Sequence, residues 1–200
     1  MKGLLLLSAG IDSPVAGYLI KKKAEVIALH FDNQPLINKL TLEKVKKLSQ
    51  KLNIKTYVVN HGKNQLEIIK NCERKYQCVL CRRIMFKVAE QIAKQENCDF
   101  LITGENLGQV ASQTLENMYV TEHGIKIKIL QPLLCNDKQE TINIAKKIGT
   151  YEISIEAGMC CTAVPPNPVT KARQTFIQEQ EEKLDIDFLV KETIKNKKIL

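Results

Sequence analysis

The sequence predicts an α/β fold, a mostly parallel sheet with helices on both faces. Apolar runs alternate with segments of helical periodicity, which is the signature of repeated strand–helix units. The opening run, Leu4 to Leu7, is continuous rather than alternating, as a strand covered on both faces requires. It is too short for a membrane span or the core of a signal peptide, because glycine and small polar residues follow it at once.

After this strand, Pro14 suits a first helical position, and Val15 and Leu19 carry an apolar face into Lys21–Lys23. Glu25 to Phe31 reads as a second strand. Leu42, Val45, Leu48 and Leu52 then recur at helical spacing before a β-rich stretch, Thr56 to Asn60. Ile84, Val88 and Ile92 form a helical stripe after a CxxC pair, Phe100 to Thr103 is a short strand ending at Gly104, and Lys126 to Leu130 is another strand. Asp137 to Lys147 is expected to be helical, with basic residues in the last turn and Gly149 as its stop. A proline-rich crossing at Pro165, Pro166 and Pro168 separates this body, residues 1–172, from a charged, helix-like tail over 173–200.

The 200 residues carry 30 Lys and Arg against 22 Asp and Glu, a net charge of +8 that favours a polyanionic partner. Only four of the cations are arginines, and lysine enrichment has causes other than function, so the charge is a modest signal. At 44% hydrophobic and 26% charged residues, disordered and low-complexity classes are excluded. Seven cysteines without an export signal argue for a reducing, cytoplasmic setting rather than a disulfide scaffold. Cys72, Cys98 and Cys135 read as small buried hydrophobes.

Two segments carry chemistry. The first strand ends in Ser8-Ala9-Gly10-Ile11-Asp12-Ser13, where small residues let backbone amides approach a phosphate and the following helix points its positive end at the anion. A plain strand-to-helix turn capped by Asp12 or Ser13 is the other reading. Asp12 would repel a triphosphate unless a cation such as Mg2+ intervened. There is neither a GxxxxGK[ST] loop nor a GxGxxG fingerprint. The second segment, Cys78-Val79-Leu80-Cys81, is by itself compatible with a metal half-site, a redox pair or coincidence.

The string SAGIDSPVAGYL resembles the SGGxDS pyrophosphatase (PP) loop of the tRNA 4-thiouridine synthases, the ThiI family. RRIMFKVAEQIA, TGENLGQVASQTLENM, KIGTYEIS and CTAVPPNPVTK look like later segments of that family in the same order. The resemblance implies a Rossmann-like PP-loop ATP pyrophosphatase fold and ATP with Mg2+ as cofactors. It also implies a two-step thiolation: uracil O4 attacks the α-phosphorus, pyrophosphate leaves, and sulfur then displaces AMP. By the same resemblance, Ser8, Gly10, Asp12 and Ser13 hold pyrophosphate after Leu6 and Leu7. His30 and Phe31 lie beside the adenosine, and Arg82, Gly104 and Gln113 are further ATP contacts. Read without the resemblance, Gln113 is a surface helix residue and His30 a satisfied buried histidine. Ala9 stands where the family usually has glycine, and a positive φ there would strain an alanine.

Asp12 and Cys161 are the implied catalytic residues. In archaeal-type members of the family a CxxC joins the later cysteine to hold an iron–sulfur cluster, so the resemblance implies a 4Fe-4S cluster on Cys78, Cys81 and Cys161. A metal-free Cys161 persulfide and a zinc site using Cys160 or a histidine rank after it, and Cys160 is expected to be a neighbour rather than a ligand. Family members usually carry an amino-terminal THUMP region. With the first strand opening at Met1, tRNA is expected to be held by a separate THUMP-type protein, by a homodimer, or by the basic surface at Lys21–Lys23, Lys46, Lys47, Lys146 and Lys147, which otherwise reads as solvated helix faces. Sulfide or a cysteine desulfurase would supply sulfur, and no membrane partner is expected. Two rival functions remain at this stage. One is a PP-loop enzyme that thiolates or amidates a small molecule, and the other is a non-catalytic module that carries sulfur or a cluster.

Overall fold

A computed structural model describes residues 1–158 and 161–200, so Cys160 lies outside the described residues. Its centre is a six-stranded sheet in the order β5-β4-β1-β2-β3-β6, built from β1 (Lys2–Leu6), β2 (Glu25–Asp32), β3 (Thr56–Asn60), β4 (Phe100–Ile102), β5 (Lys128–Leu130) and β6 (Lys198–Ile199). The first five strands are parallel, and β6 adds antiparallel to β3. Successive strands step outward from β1 to β2 and β3, then return to its other side as β4 and β5. This reversal opens a crevice at the carboxyl ends of β1 and β4.

Strand periodicity divides the core into two layers. Leu4, Ile27, Leu29, Phe31, Tyr57, Val59 and Leu101 face one side, with α3 (Gly62–Asn71), α4 (Gln77–Gln95), α8 (Gln174–Glu181) and α9 (Ile186–Lys195) supplying Ile68, Ile84, Val88, Ile92, Ile177, Leu189 and Val190. Leu5, Leu7, Val26, Ala28, Phe100 and Ile102 face the other, under α1 (Asp12–Lys21), α2 (Leu40–Leu52) and α6 (Lys138–Ile148). Helices therefore cover both faces, as the unbroken run of leucines predicts. Among the described residues, no helix is long and apolar enough to cross a membrane.

Several local expectations change. The first helix starts at Asp12, so Pro14 is its third residue, still within the turn whose N–H groups need no helical partner. The CxxC lies inside the first turns of α4 rather than ahead of it. Helices α3, α5 (Leu115–Glu122) and α7 (Tyr151–Ile155) add to the predicted set, and the strand expected from Lys126 begins at Lys128. Asp137 caps α6 by accepting from Gln139 N at 2.7 Å, and Gly149 ends it at φ 71°. The charged segment from residue 173 on packs α8 and α9 onto the α4 layer and returns β6 to the sheet. Cys72 and Cys98 are half-buried beside the core, whereas Cys135 is exposed because it lies in the turn that leads to α6.

Two histidines are sealed into this fold. Burial lowers the pKa of His30 and pushes that of His61 down to about 3 from its ordinary 6.5. Between those values the folded chain binds fewer protons than the unfolded chain. The stability His61 contributes is thus complete above pH 6.5 and is lost as pH falls toward 3. Urea titrations at stepped pH should show the folding equilibrium weakening by about tenfold per pH unit for this one histidine. His61→Phe should flatten that slope; an unchanged slope would contradict it. Packing at the crevice makes a second prediction. A Cβ on Gly104 would stand 2.5 Å from Ser13 N and 2.7 Å from the Asp12 carbonyl carbon, both backbone atoms. Gly104→Ala should cost about 1–3 kcal/mol in denaturant unfolding through overpacking, and a neutral result would show that β4 can move away from the loop.

Candidate active site

The turn after β1 is held by its own serines. Ser13 Oγ accepts from Ser8 N at 2.8 Å and lies 3.0 Å from Ser8 Oγ, which in turn accepts from Gly10 N at 3.3 Å. Ser8 and Gly10 remain exposed, so this self-bonded turn still opens to solvent. Ala9 needs no special conformation: the non-glycine residues with positive φ among those described are Asn53 and Asn97. The alanine is therefore unstrained where the family has glycine.

Leu7, buried behind the turn, takes its N–H bond to Leu29 O and offers its carbonyl to His30 Nδ1 at 2.9 Å. His30 thus donates from Nδ1, and its Nε2 is buried with no hydrogen-bond partner. It is only half satisfied, unlike the fully satisfied core histidine of the plain reading. Phe31 points into the opposite layer, edge-on to the His61 ring, and the half-buried Leu6 also packs against that layer.

Gly104 closes the crevice by backbone contact with the turn. Next to it, Glu105 is buried, accepts from Thr103 Oγ1 at 2.9 Å and from Gln131 Nε2 at 3.1 Å, and pairs with Arg82. Arg82 is therefore committed to a carboxylate, an arrangement that ties the start of α4 to the end of β4. Gln113 lies in a short 3-10 turn, Ala111–Gln113, with its side-chain oxygen buried and unpartnered. Lys138, which the sequence reading missed, crosses from the start of α6 to hold both Asp12 oxygens at 2.8 and 3.0 Å, with Gln109 Oε1 at 3.3 Å.

The sulfur side is built from three elements. One turn of α4 separates Cys78 from Cys81, so both look the same way. Cys161 arrives on a strap fixed by Thr162, whose N and Oγ1 both bond Leu36 O at 3.1 Å. Gln65 of α3 meets the Cys161 sulfur at 3.7 Å through Nε2 and also accepts from Gln77 Nε2 at 3.3 Å, which joins the strap to the start of α4. The Cys161 sulfur is close enough to the CxxC for its charge to act on both of those thiols. Burial and the Cys78 and Cys161 charges push Cys81 up to about 12, and burial with Cys161 raises Cys78 against the opposing pull of Arg82 and Arg74. Cys81 is also 3.3 Å from His61 Nε2. Among the described residues, no three His, Cys, Asp or Glu side chains are spaced to hold a single metal ion.

The lysines singled out as a nucleic-acid surface divide differently. Lys21–Lys23 and Lys146–Lys147 cluster at the carboxyl ends of α1 and α6, where cations complement the helix dipole. These helices run back from the crevice, so their ends lie at the opposite edge of the sheet. Lys47 pairs with Glu156 at 2.7 Å, and Lys46 is exposed on α2.

Comparisons with known proteins agree with this architecture. A crystal structure of a 4-thiouridine synthetase–RNA complex with bound ATP superposes with a TM-score of 0.94 at 37% identity, covering 100% of this chain and 54% of the other. A U34-tRNA thiolase, NcsA from Methanococcus maripaludis, described with its [4Fe-4S] cluster, shares the fold at a TM-score of 0.60 and 20% identity, covering 96% of this chain and 70% of that one. Two proteins named "Probable tRNA sulfurtransferase" are 44% identical (Finegoldia magna) and 39% identical (Methanosarcina mazei) over 100% of this chain. The chain spans about half the length of these curated relatives, 53% and 51%. Residues 1–186 match the family described as "Thiamine biosynthesis protein (ThiI)", and the chain belongs to that family.

Proposed function

We propose that this chain is the ATP-using, sulfur-inserting unit of a cytoplasmic tRNA 4-thiouridine synthase, with residues 1–172 carrying the reaction and 173–200 completing its core. The observation that carries the reading is the convergence of Cys161 on the CxxC of α4, in a fold whose phosphate loop opens at the same carboxyl edge of the sheet. Uracil O4 attacks the α-phosphorus of ATP and pyrophosphate departs. A sulfur nucleophile then adds at C4, and AMP leaves with the former O4. Adenylation is required because the oxygen is otherwise a poor leaving group.

In this reading Ser8, Gly10 and Ser13 give hydroxyls and amides to the departing pyrophosphate, after the strand end Leu6–Leu7, and the amino end of α1 adds its dipole. Asp12 holds Mg2+, and Lys138, freed from Asp12, neutralises phosphate oxygens. His30 offers its unpartnered Nε2 as an acceptor to the adenine amino group, with Phe31 behind it. Gly104 keeps the crevice narrow, Gln113 offers a buried carboxamide oxygen, and Arg82, held by Glu105, adds positive charge beside the crevice.

We read the three thiols as ligands of an iron–sulfur cluster, which takes one thiolate per iron, rather than of a single zinc ion. A Cys81 thiol held near 12 is also a poor free nucleophile, which weighs against a persulfide resolved by the CxxC. A 4Fe-4S cluster held by Cys78, Cys81 and Cys161 would leave one iron open to bind sulfide as the nucleophile. Free sulfide supplies that sulfur directly, whereas a cysteine desulfurase supplies it as a persulfide, from which a thiol reductant must release sulfide, the thiol being oxidised to a disulfide. Because the lysine clusters lie away from the crevice, tRNA is gripped by a THUMP-type region outside these residues or by the second copy in a homodimer.

Pyrophosphate exchange into ATP in the presence of bulk tRNA, together with thionucleoside analysis of that tRNA, tests this reading. Asp12→Asn should lower exchange by at least about 100-fold, the scale on which loss of a charge-stabilising group acts. Cys161→Ser should retain exchange while thionucleoside falls to background. Equal loss of both steps in the Cys161 variant, or exchange driven only by a small-molecule acceptor, would overturn it.

A further inference from the structure

His61 belongs to none of the sequence motifs, yet it is among the most constrained side chains in the molecule. Its N–H bonds Asp32 O at 2.7 Å, and its carbonyl accepts from Gln65 N at 3.2 Å. The next residue, Gly62, is pressed against Gln34, whose carbonyl oxygen would lie 1.8 Å from an added Cβ. The ring is fully buried and meets Phe31 edge-on at 5.4 Å.

A chain of hydrogen bonds fixes which ring nitrogen carries the proton. Thr193 Oγ1, on α9, donates to Leu189 O at 2.7 Å, so its oxygen is left to accept. Asn64 Nδ2 fills that acceptor at 2.8 Å and gives its second hydrogen to His61 Nδ1 at 3.0 Å. Nδ1 is therefore the bare nitrogen and Nε2 carries the hydrogen, which faces Cys81, with Sγ at 3.3 Å and the backbone carbonyl of the same residue also within reach. The other neighbour of that sulfur is Met85 Sδ at 3.9 Å, which offers no hydrogen.

We propose that His61 is a positioning residue for the sulfur centre: through Nε2–H it donates to Cys81 Sγ, aims that sulfur at Cys78 and Cys161, and draws charge from it when it ligates metal. This rests on the reading of the three cysteines as one sulfur-handling centre. Hydrogen bonds to ligand sulfurs orient them and make the more reduced state of a cluster easier to reach. The His61 ring is sealed from solvent, although the cysteine sulfurs it serves are partly exposed. The Thr193–Asn64–His61 relay also links the sulfur centre to α9, which carries no motif.

The hydrogen bond itself is tested without metal, by NMR of the full chain labelled with 15N-histidine. Nε2 should be protonated and Nδ1 bare at neutral pH, and Cys81→Ala should shift the Nε2 resonance. A proton on Nδ1, or an Nε2 signal indifferent to Cys81→Ala, would overturn the proposal. Its consequence is read on the chain loaded anaerobically with iron and sulfide. His61→Phe should move the cluster's midpoint potential to more negative values and weaken iron retention against a chelator by about tenfold. His61→Gln, which keeps an N–H, should restore part of both. If His61→Phe fails to fold, Asn64→Leu provides the same comparison by freeing the tautomer. An unchanged potential and iron retention in these variants would refute the tuning role. Failure of the parent chain to take up iron would instead remove the cluster from the proposed function, and the tautomer and its dependence on Cys81 would then decide the hydrogen bond alone.

Discussion

The site depends first on one close backbone approach. Where the sheet order reverses, the chain leaving β4 at Gly104 presses on the backbone of Asp12 and Ser13, nearer than any side chain would permit. That contact fixes the turn from outside while the Ser8–Ser13 bonds fix it from within. The loop can therefore hold its shape while Ser8 and Gly10 face solvent. Preorganisation of this kind is what electrostatic stabilisation of a leaving group needs, since donors that must first be ordered lose much of their effect.

The sulfur side solves a different problem. Cys81 is a half-buried thiol packed against the core, and burial with the neighbouring thiolates favours its protonated form. Its usefulness depends on what else is brought to it. Cys78 comes from the same helix at a spacing any helix provides, but Cys161 comes from beyond α7 on a strap fixed by the Thr162 and Gln65 contacts. Convergence here is a property of tertiary structure. It depends on α3, whose N-cap His61 meets Cys81 and whose Gln65 meets Cys161.

This difference explains what the sequence discloses. The fold class is legible because a five-residue strand buried on both faces needs an unbroken apolar run, and Leu4 to Leu7 provides it. Gly149 and Asp137 are legible as helix boundaries for local reasons. The start of α4 is not, because Tyr76 caps it without a side-chain bond and nothing before Cys78 signals a helix. Nor is α3, whose apolar contribution to the core centres on Ile68 and whose cap is the backbone of His61. Lys138 and His61 were missed because each acts across the fold, on Asp12 and on Cys81 respectively, and no short motif records such a pairing. The lysine clusters were legible as charge but not as location, since the direction of each helix puts them at the far edge of the sheet.

The Asp12–Lys138 pair shows how the two kinds of information combine. Asp12 looks misplaced in an anion-binding turn until its partner is seen, and the pair is then neutral as a unit. It is also cheap to separate, with side chains 45% and 24% exposed, so screening by water leaves it worth about 0–1 kcal/mol. In the proposed reaction a triphosphate entering the crevice divides it, the carboxylate turning to a divalent cation and the ammonium to phosphate oxygens. Each charge thus exchanges one partner for a stronger one, and no bare charge is exposed at any stage. By contrast, Glu105 is buried and its partner Arg82 is 22% exposed, so separating them would strand the carboxylate in a poorly solvated interior. The more exposed pair is therefore the one suited to open and close with each turnover, while Arg82 on the buried Glu105 holds α4, and with it the cysteines, against the end of β4.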